Sequence, residues 1–536
     1  MTGAPVKGLA IRERLASAGC WAGAACAVAV LLVVAGKISP LANVPKWDEF
    51  IYLYDSQRVL SGQVPYRDFF QFTPPGDLFF LAGWFRLFSG AASVTWGRYL
   101  SAATELVSWL WLWRSLRRAG WGPRLAPALA SLTPLCLYTF WPIPSHHWFA
   151  GLFFLGAFEA FDFETRRVRG RRGWFWVGAC GGAAFLFLQT AAAAMAAFWG
   201  VFWALGTRGR EKAHSSGWGG LGCLAVLVPT LGWFWINGAL GSLFRDVFLW
   251  TAGHYRTAGG ANAVPLLQDL PSRLAALWAP PGDLSPLRWA PLAAAGTMVH
   301  AGILGAVCLV GLLWARGAAA LLRRRSFASP LAAALMVLSV VEFSLFLMGK
   351  PDWLHLVYAM ARVGPAWLLL GPPAAPASSG WRTASGWLLG VFAASGLLFG
   401  AGWMLLRTPA AWEFTDADRP VREAPVNRYL RAQDWLLPGD TIAAFPEGGE
   451  VYLYVRPAAI GFTLLYPPGE RYHGSEDYEI AAGEILANGP RCIVMTSDTE
   501  SQYLSADCAL SGPIRERYRF WASVGDAVIY RLEPRP

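Results

Sequence analysis

Apolar positions run through this chain in blocks of roughly 17–25 residues, the length at which a helix spans the hydrocarbon core of a bilayer. Eleven membrane helices are predicted, near residues 20–38, 92–113, 125–141, 146–163, 173–188, 191–206, 218–238, 289–315, 329–348, 353–371 and 383–406. The stretch 173–206 reads as one long helix or two short ones, and two short ones keep the parity of the rest. The apolar pattern breaks in four larger places: a first loop at 39–91, a second at 239–288, a short turn at 349–352, and everything from 408 onward. In that last part Glu413, Asp416, Asp418, Arg419, Arg422 and Glu423 arrive together, and the period shortens to that of strands. The pattern predicts a helix over Val426–Leu436, strands at Thr441–Phe445, Val451–Val455 and Cys492–Met495, and a hairpin over Phe520–Leu532 turning at Gly525-Asp526. The fold class expected is therefore a polytopic α-helical membrane protein, with a transmembrane domain at 1–407 and a small soluble α/β domain at 408–536.

Composition agrees: 55% of the 536 residues are hydrophobic and 15% charged, against about 25% charged in soluble domains. The net charge of +10 does not point to nucleic acid, because its dense basic clusters (Arg114–Arg124, Arg166–Arg172, Arg208–Lys212, Arg316–Arg325) all fall on one side of the predicted helices. By the positive-inside rule that side is cytoplasmic. The N-terminus then lies in the cytoplasm of a multi-pass inner-membrane protein, and both large loops and the C-terminal domain lie outside. The run Cys20–Gly36 is followed by Lys37-Ile38-Ser39-Pro40 and not by a small-residue cleavage site, so it reads as a retained signal anchor. Of eight cysteines, six fall in predicted membrane helices; a disulfide between Cys492 and Cys508 is permitted outside the cytoplasm, and spacing alone leaves it open. No phosphate loop, GxSxG elbow, HExxH or Cys/His metal-finger spacing is present, which removes support for an ATP-driven pump or a serine hydrolase.

Candidate chemistry gathers at the predicted outer face. Asp48-Glu49 follows the first helix, where charged groups near lipid are costly to desolvate. Two roles are open to the pair: a general base at the mouth of a membrane cavity, or acidic residues starting a helix that carries Phe50, Ile51, Leu53 and Tyr54. Tyr66-Arg67-Asp68-Phe69-Phe70 comes next, in which Arg67 and Asp68 either pair with each other or serve a site. Arg58 and Arg67 have the chemistry to bind a lipid phosphate. Ser145-His146-His147-Trp148 opens the fourth helix; adjacent histidines do not share a helix face, so one of the two is expected at a cavity. Lys350-Pro351-Asp352-Trp353-Leu354-His355 offers Lys350 and His355 to a phosphate, or Asp352 as a helix cap. Gln189 interrupts an apolar run, where it lines a cavity or sits at an outer turn. Trp250–Arg256 is a weaker candidate segment of the same type.

At these residues the chain resembles a known family. Asp48-Glu49, Pro65-Tyr66-Arg67-Asp68-Phe69-Phe70, Pro74-Pro75-Gly76, the Ser-His-His-Trp start and the Lys-Pro-Asp-x-x-His turn are similar to elements of the bacterial GT-C membrane glycosyltransferases. More narrowly, they resemble the mannosyltransferase-like group of protein O-mannosyltransferases and lipid A sugar transferases. The resemblance covers roughly residues 1–410. It implies inverting transfer of one sugar from a polyprenyl-phosphate donor to a glycan, lipid or protein acceptor in the cell envelope. The family's first-loop carboxylate carries over to Asp48, with Glu49 beside it. A second acidic role is left to Asp68, because His146 and His147 stand where some members have an acid. The implied donor-phosphate set is Arg58, Arg67, Lys350 and His355, in a cavity lined by Tyr66, His146, His147, Gln189 and Asp352. Metal dependence varies within the class, so a divalent metal stays open, with no ligand set assigned. Rival readings are a transporter of lipid-linked sugars and a non-enzymatic assembly protein. Transport predicts charges along a path through the membrane, and the charged positions here are read as gathering at the outer face.

Overall fold

Helix α1 (Gly23–Ile38) leads into two helices that occupy the predicted first loop, α2 (Trp47–Leu60) and α3 (Gly76–Phe88). The structure, a computed structural model, describes residues 23–38, 47–138, 141–166, 171–206, 209–255, 264–279, 289–302, 304–305, 330–348, 353–370, 416–468 and 473–533. A helical bundle follows: α4 (Val94–Arg118), α5 (Leu125–Leu132) running into a π turn (Thr133–Leu137), α6 (His146–Arg166), α7 (Arg171–Phe187), α8 (Gln189–Gly206) and α9 (Gly209–Ile236). The second loop holds α10 (Leu240–Phe244), a π-helical segment (Arg245–Tyr255) and α11 (Val264–Trp278); α12 (Pro330–Met348) and α13 (Trp353–Leu370) complete the described bundle. The stretch 173–206 is two helices broken at Leu188.

Phe149, Phe154, Phe158, Phe161 and Phe198 fill the centre of the bundle as fully buried rings. At its edge α7 and α9 touch backbone to backbone. A Cβ at Gly178 would stand 1.8 Å from the Gly219 carbonyl oxygen, and one at Gly222 2.0 Å from that of Phe175. Small residues are what permit such an approach between helices.

Among the described residues one helical segment, Glu211–Ile236, is long and apolar enough to cross a membrane, and Gly23–Ile38, Leu125–Leu137 and Pro330–Phe346 are shorter apolar helices. The criterion therefore does not reach eleven spans. Predicted span 383–406 and part of 289–315 lie outside the described residues, as does the boundary at 407. Elsewhere charge inside the helices lowers their apolarity: Arg98 and Glu105 are buried in α4, Glu342 in α12 and Arg362 in α13.

The C-terminal domain is a four-stranded sheet of order β1-β2-β4-β3, with β1 (Ile442–Phe445) parallel to β2 (Cys492–Thr496), and β3 (Tyr518–Val524) and β4 (Ala527–Leu532) closing it antiparallel. The hairpin turns at Gly525, whose φ of 65° suits glycine. Two expectations are corrected. The helix begun at Pro425 ends at Arg431. Val451–Val455, predicted as a strand from its β-branched and aromatic alternation, belongs to a short helix, Gly449–Tyr454. Tertiary contact overrides propensity there: the Tyr452 hydroxyl exchanges hydrogen bonds with the N–H (2.7 Å) and carbonyl (3.2 Å) of Ala444. The Cys492–Cys508 disulfide is absent. Both are buried free thiols, Cys492 packed with Ile442, Ala444 and Val494 on one face of the sheet, Cys508 with Ala443, Phe445 and Ile493 on the other.

The domain is tied to the bundle at named points. Asp418 accepts from the N–H groups of Val94 (2.7 Å) and Thr95 (3.2 Å) and from the Thr95 hydroxyl (2.8 Å) at the start of α4, and from the Tyr454 hydroxyl. Such bonds satisfy donors that a helix start leaves open. Further along, Ala458 N–H donates to the Tyr54 hydroxyl at 2.7 Å, and Phe70 N–H to the Gly461 carbonyl at 3.1 Å.

Candidate active site

Asp48, Ile51, Tyr52 and Asp55 stand at i, i+3, i+4 and i+7 of α2, a spacing that places them on one helix face. All four line a cavity of about 430 Å³. Its other walls are the first-loop segment Phe70–Thr73, the starts of α6 (Ser145-His146-His147) and α8 (Gln189-Thr190), Trp250-Thr251-Ala252 of the second loop, the inner faces of α12 and α13, and residues of the C-terminal domain from Thr463 to His473. The bundle, both predicted loops and the C-terminal domain thus contribute to one enclosure.

The two adjacent acids of α2 diverge, as neighbours on a helix must. Asp48 stays on the cavity wall, partly exposed. Glu49 is buried, and Arg98 of α4 grips it bidentately, Nε to Oε1 at 2.8 Å and Nη2 to Oε2 at 2.9 Å. Two turns past Asp48, Asp55 is 1% exposed. It accepts from the Thr463 hydroxyl at 2.5 Å and the Gln71 side-chain amide at 3.0 Å. Burial pushes its carboxyl up to about 7, against the pull of Arg58 and of the hydrogen bonds from Thr463 and Gln71.

On the bundle side, Arg362 of α13 binds Glu342 of α12 through Nε (2.9 Å) and Nη2 (2.8 Å), and both residues line the cavity. The buried Nη1 of Arg362 has no hydrogen-bond partner. Arg362 is the one Lys or Arg on the cavity wall among the described residues. His147 stacks on Tyr358 with centroids 3.8 Å apart, His355 meets its edge at 5.6 Å, and His146 meets Tyr52 of α2 at 5.5 Å. Both adjacent histidines reach the cavity, against the expectation that one would. They occupy the first turn of α6, at the mouth of the helix, with ring centroids 4.2 Å apart.

Of the residues singled out in the sequence, the cavity brings together Asp48, His146, His147, Gln189 and His355. Others stand apart from it. Arg58 donates to the backbone carbonyls of Ile460 (3.4 Å), Gly461 (3.2 Å) and Asp68 (3.0 Å), and lies over the Phe69 ring. Arg67 and Asp68 pair on the surface at 2.8 Å. Tyr66 is buried against Phe234, with its hydroxyl on the Thr73 carbonyl at 2.7 Å. Lys350 and Asp352 lie outside the described residues. Sequence reasoning passed over Asp55, Gln71, Glu342, Arg362 and His473. The i, i+7 repeat from Asp48 to Asp55 was a signal for the first, and the lone charges inside two apolar helices were a signal for Glu342 and Arg362. The reading that charge gathers only at the outer face is corrected by the same two residues and by Arg98 and Glu105. Among the described residues no three or more His, Cys, Asp or Glu side chains are grouped as a metal ion needs.

Over most of its length this chain superposes on solved structures. It matches ArnT from Cupriavidus metallidurans in the apo state at a TM-score of 0.57 and 15% identity, covering 96% of this chain and 98% of that one. It matches ArnT bound to undecaprenyl phosphate at 0.53 and 14%, covering 94% and 96%. The fold is that of the GT-C glycosyltransferases. A weaker likeness, TM-score 0.48 at 13% identity over 96% of this chain and 74% of the other, is to the archaeal oligosaccharyltransferase AglB from Archaeoglobus fulgidus. No family model matches this chain, and no curated protein matches it.

Proposed function

We propose that this GT-C chain is a multi-pass inner-membrane glycosyltransferase, moving one hexose or pentose from a polyprenyl-phosphate donor to an acceptor outside the cytoplasm. Asp48 carries the reading: a carboxylate at the start of the first-loop helix, on the wall of a cavity built jointly by the bundle, both loops and the C-terminal domain. ArnT, which shares the fold, has been solved with undecaprenyl phosphate.

The residues support an inverting displacement. An acceptor hydroxyl oxygen attacks the anomeric carbon, its proton passes to the Asp48 carboxylate, and the carbon–oxygen bond to the phosphate breaks. The products are a new glycosidic bond and a polyprenyl phosphate. A hydroxyl is a poor nucleophile, so a base in hydrogen-bond reach matters most. The leaving phosphate needs only stabilisation of its negative charge. The Nη1 of Arg362 left free by Glu342 and the His355 ring offer that phosphate hydrogen bonds, and the sequence reading adds Lys350 at the same mouth. Arg58 and Arg67 leave the donor-phosphate set because the C-terminal domain and Asp68 occupy them. The eleven-span topology, cytoplasmic N-terminus and external C-terminal domain belong to this reading and rest on the placement of the basic loops.

The test compares membranes with equal levels of wild type and Asp48→Asn, their lipids profiled by mass spectrometry. Accumulation of one polyprenyl-phosphate sugar in the mutant alone is expected. Matching profiles with the cellular function intact would remove the catalytic assignment.

A further inference from the structure

We propose that the acceptor is an uncharged carbohydrate, seated on an aromatic wall where the C-terminal domain meets both external loops. The inference rests on the glycosyltransferase reading above and names its second substrate. Three distant segments meet at this wall. Phe70 and Phe72 come from the first loop, Trp250 from the second, and His473 from the C-terminal domain, and all four line the cavity. Trp250 packs against Phe70 (centroids 4.9 Å), Phe72 (5.3 Å) and His473 (5.7 Å). The structure leaves Phe70 and Phe72 partly exposed, while the His473 side chain is buried beside Asp477 (3.2 Å) and braces Trp250.

A pyranose or furanose has an apolar face of C–H groups carrying slight positive charge, and that face complements the negative face of an aromatic ring. Its hydroxyls need partners at the rim. They are present: the Thr73 hydroxyl lines the cavity, is buried, and makes no hydrogen bond. The Thr251 hydroxyl beside it is held only at 3.4 Å by the Phe72 and Asp246 carbonyls. A few polar groups on a ring-lined wall suit a polyhydroxylated ligand.

Charge decides against a phosphorylated acceptor. The ionisable groups on α2 at the cavity are both acids, Asp48 and Asp55, and the one described Lys or Arg on the wall, Arg362, already binds Glu342 through two of its nitrogens. A phosphate brought to the aromatic wall finds acids on α2 and no described Lys or Arg beside Phe70, Phe72, Trp250 and His473. Asp48 and Asp55 are seven residues apart, roughly 10 Å along the helix axis. A glycan seated beside Asp55 with its reacting end at Asp48 spans that distance, which favours an oligosaccharide over a single sugar.

The experiment is saturation-transfer difference NMR on the full-length protein in detergent micelles. The probes are neutral hexose and pentose oligosaccharides, a neutral peptide, and glycerol phosphate. At least one oligosaccharide is expected to bind the wild type. Binding should weaken about tenfold or more in Trp250→Ala and Phe72→Ala, and Trp250→Phe should retain it. Thermal unfolding checks each variant, and Phe72→Ala decides if Trp250→Ala is unstable. The proposal is overturned if no oligosaccharide binds, if binding ignores both alanine variants, or if only the peptide or glycerol phosphate binds in a Trp250-dependent way. The lipid profile of Asp48→Asn keeps the two readings separate. Donor accumulation without saccharide binding removes the acceptor inference alone; saccharide binding without accumulation removes the catalytic one alone.

Discussion

Arg98 holds both carboxylate oxygens of Glu49 in a pair where each side chain is at most 1% exposed. Of the two adjacent acids that open α2, one is therefore a strut and the other faces the cavity. Removing one partner of such a pair strands a charge in low dielectric, at a cost of about 3–5 kcal/mol. Glu49→Ala and Arg98→Ala should each lower the unfolding temperature in detergent sharply. The double variant Glu49→Leu/Arg98→Met should recover much of the loss. Additive losses would mean that the pair is not what holds α2 to α4.

Asp48→Asn should behave in the opposite way. The side chain keeps its shape on the cavity wall, so stability is expected to stay within about 0.5 kcal/mol of wild type. Sugar transfer should fall by about 10²–10⁴, the range that general-base catalysis supplies. A transfer assay on purified protein, run beside thermal unfolding, reads both.

Asp55 ties stability to pH. Between its ordinary value of 3.8 and about 7, the folded chain keeps a proton on Asp55 that the unfolded chain has released. Its contribution therefore falls as pH rises across that window, by about 4 kcal/mol in total. Asp55→Asn carries no such proton. The stability of the variant relative to wild type should improve from about pH 4 to about pH 7 and then level off in unfolding series. A constant offset would show that Asp55 titrates normally.

Arg58 fastens the C-terminal domain through two of its backbone carbonyls, of Ile460 and Gly461, and ties in the first loop through the Asp68 carbonyl and the Gln63 side chain (Nε, 2.7 Å). The planar fork of donors is the property in use, and lysine lacks it. Arg58→Ala and Arg58→Lys should both loosen the segment near residue 460, by about 2–3 kcal/mol on the scale of charged hydrogen bonds. Faster limited proteolysis after that point is the readout. Full protection in the lysine variant would contradict the geometry.

The two cysteines of the C-terminal domain lie on opposite faces of its sheet. Denaturation without reductant, followed by alkylation and mass spectrometry, should label both. The double variant Cys492→Ala/Cys508→Ala should remain folded.

Much of this was legible in the sequence where one local rule governed. The hairpin at Gly525 follows from turn chemistry, and of the two readings left open for 173–206 the structure has the two-helix one. The break at Leu188 was foreseeable because Gln189 needs a polar setting, and it lines the cavity. What escaped depends on partners distant in the chain. Arg58 looks like a phosphate ligand until Gly461, 403 residues away, is seen to occupy it. Val451–Val455 has the composition of a strand, but the Tyr452 hydroxyl bonds to strand β1 while its own backbone is helical. Asp55 draws no attention in an amphipathic helix until Thr463 and Gln71 close over it. Glu342 and Arg362 each look misplaced in an apolar run, and only their pairing explains either.

Asp418, which completes the start of α4 from more than 320 positions further along the chain, sets an order of events in biogenesis. The ribosome makes Asp48 early and Thr463, Tyr466 and His473 near the end, yet all four belong to one enclosure. A nascent chain that stops before these residues still lacks the part of the wall that closes over Asp55 of α2. On the proposed function, a stalled or clipped polypeptide that lacks this segment should therefore be inert towards donor lipid although Asp48 is in place.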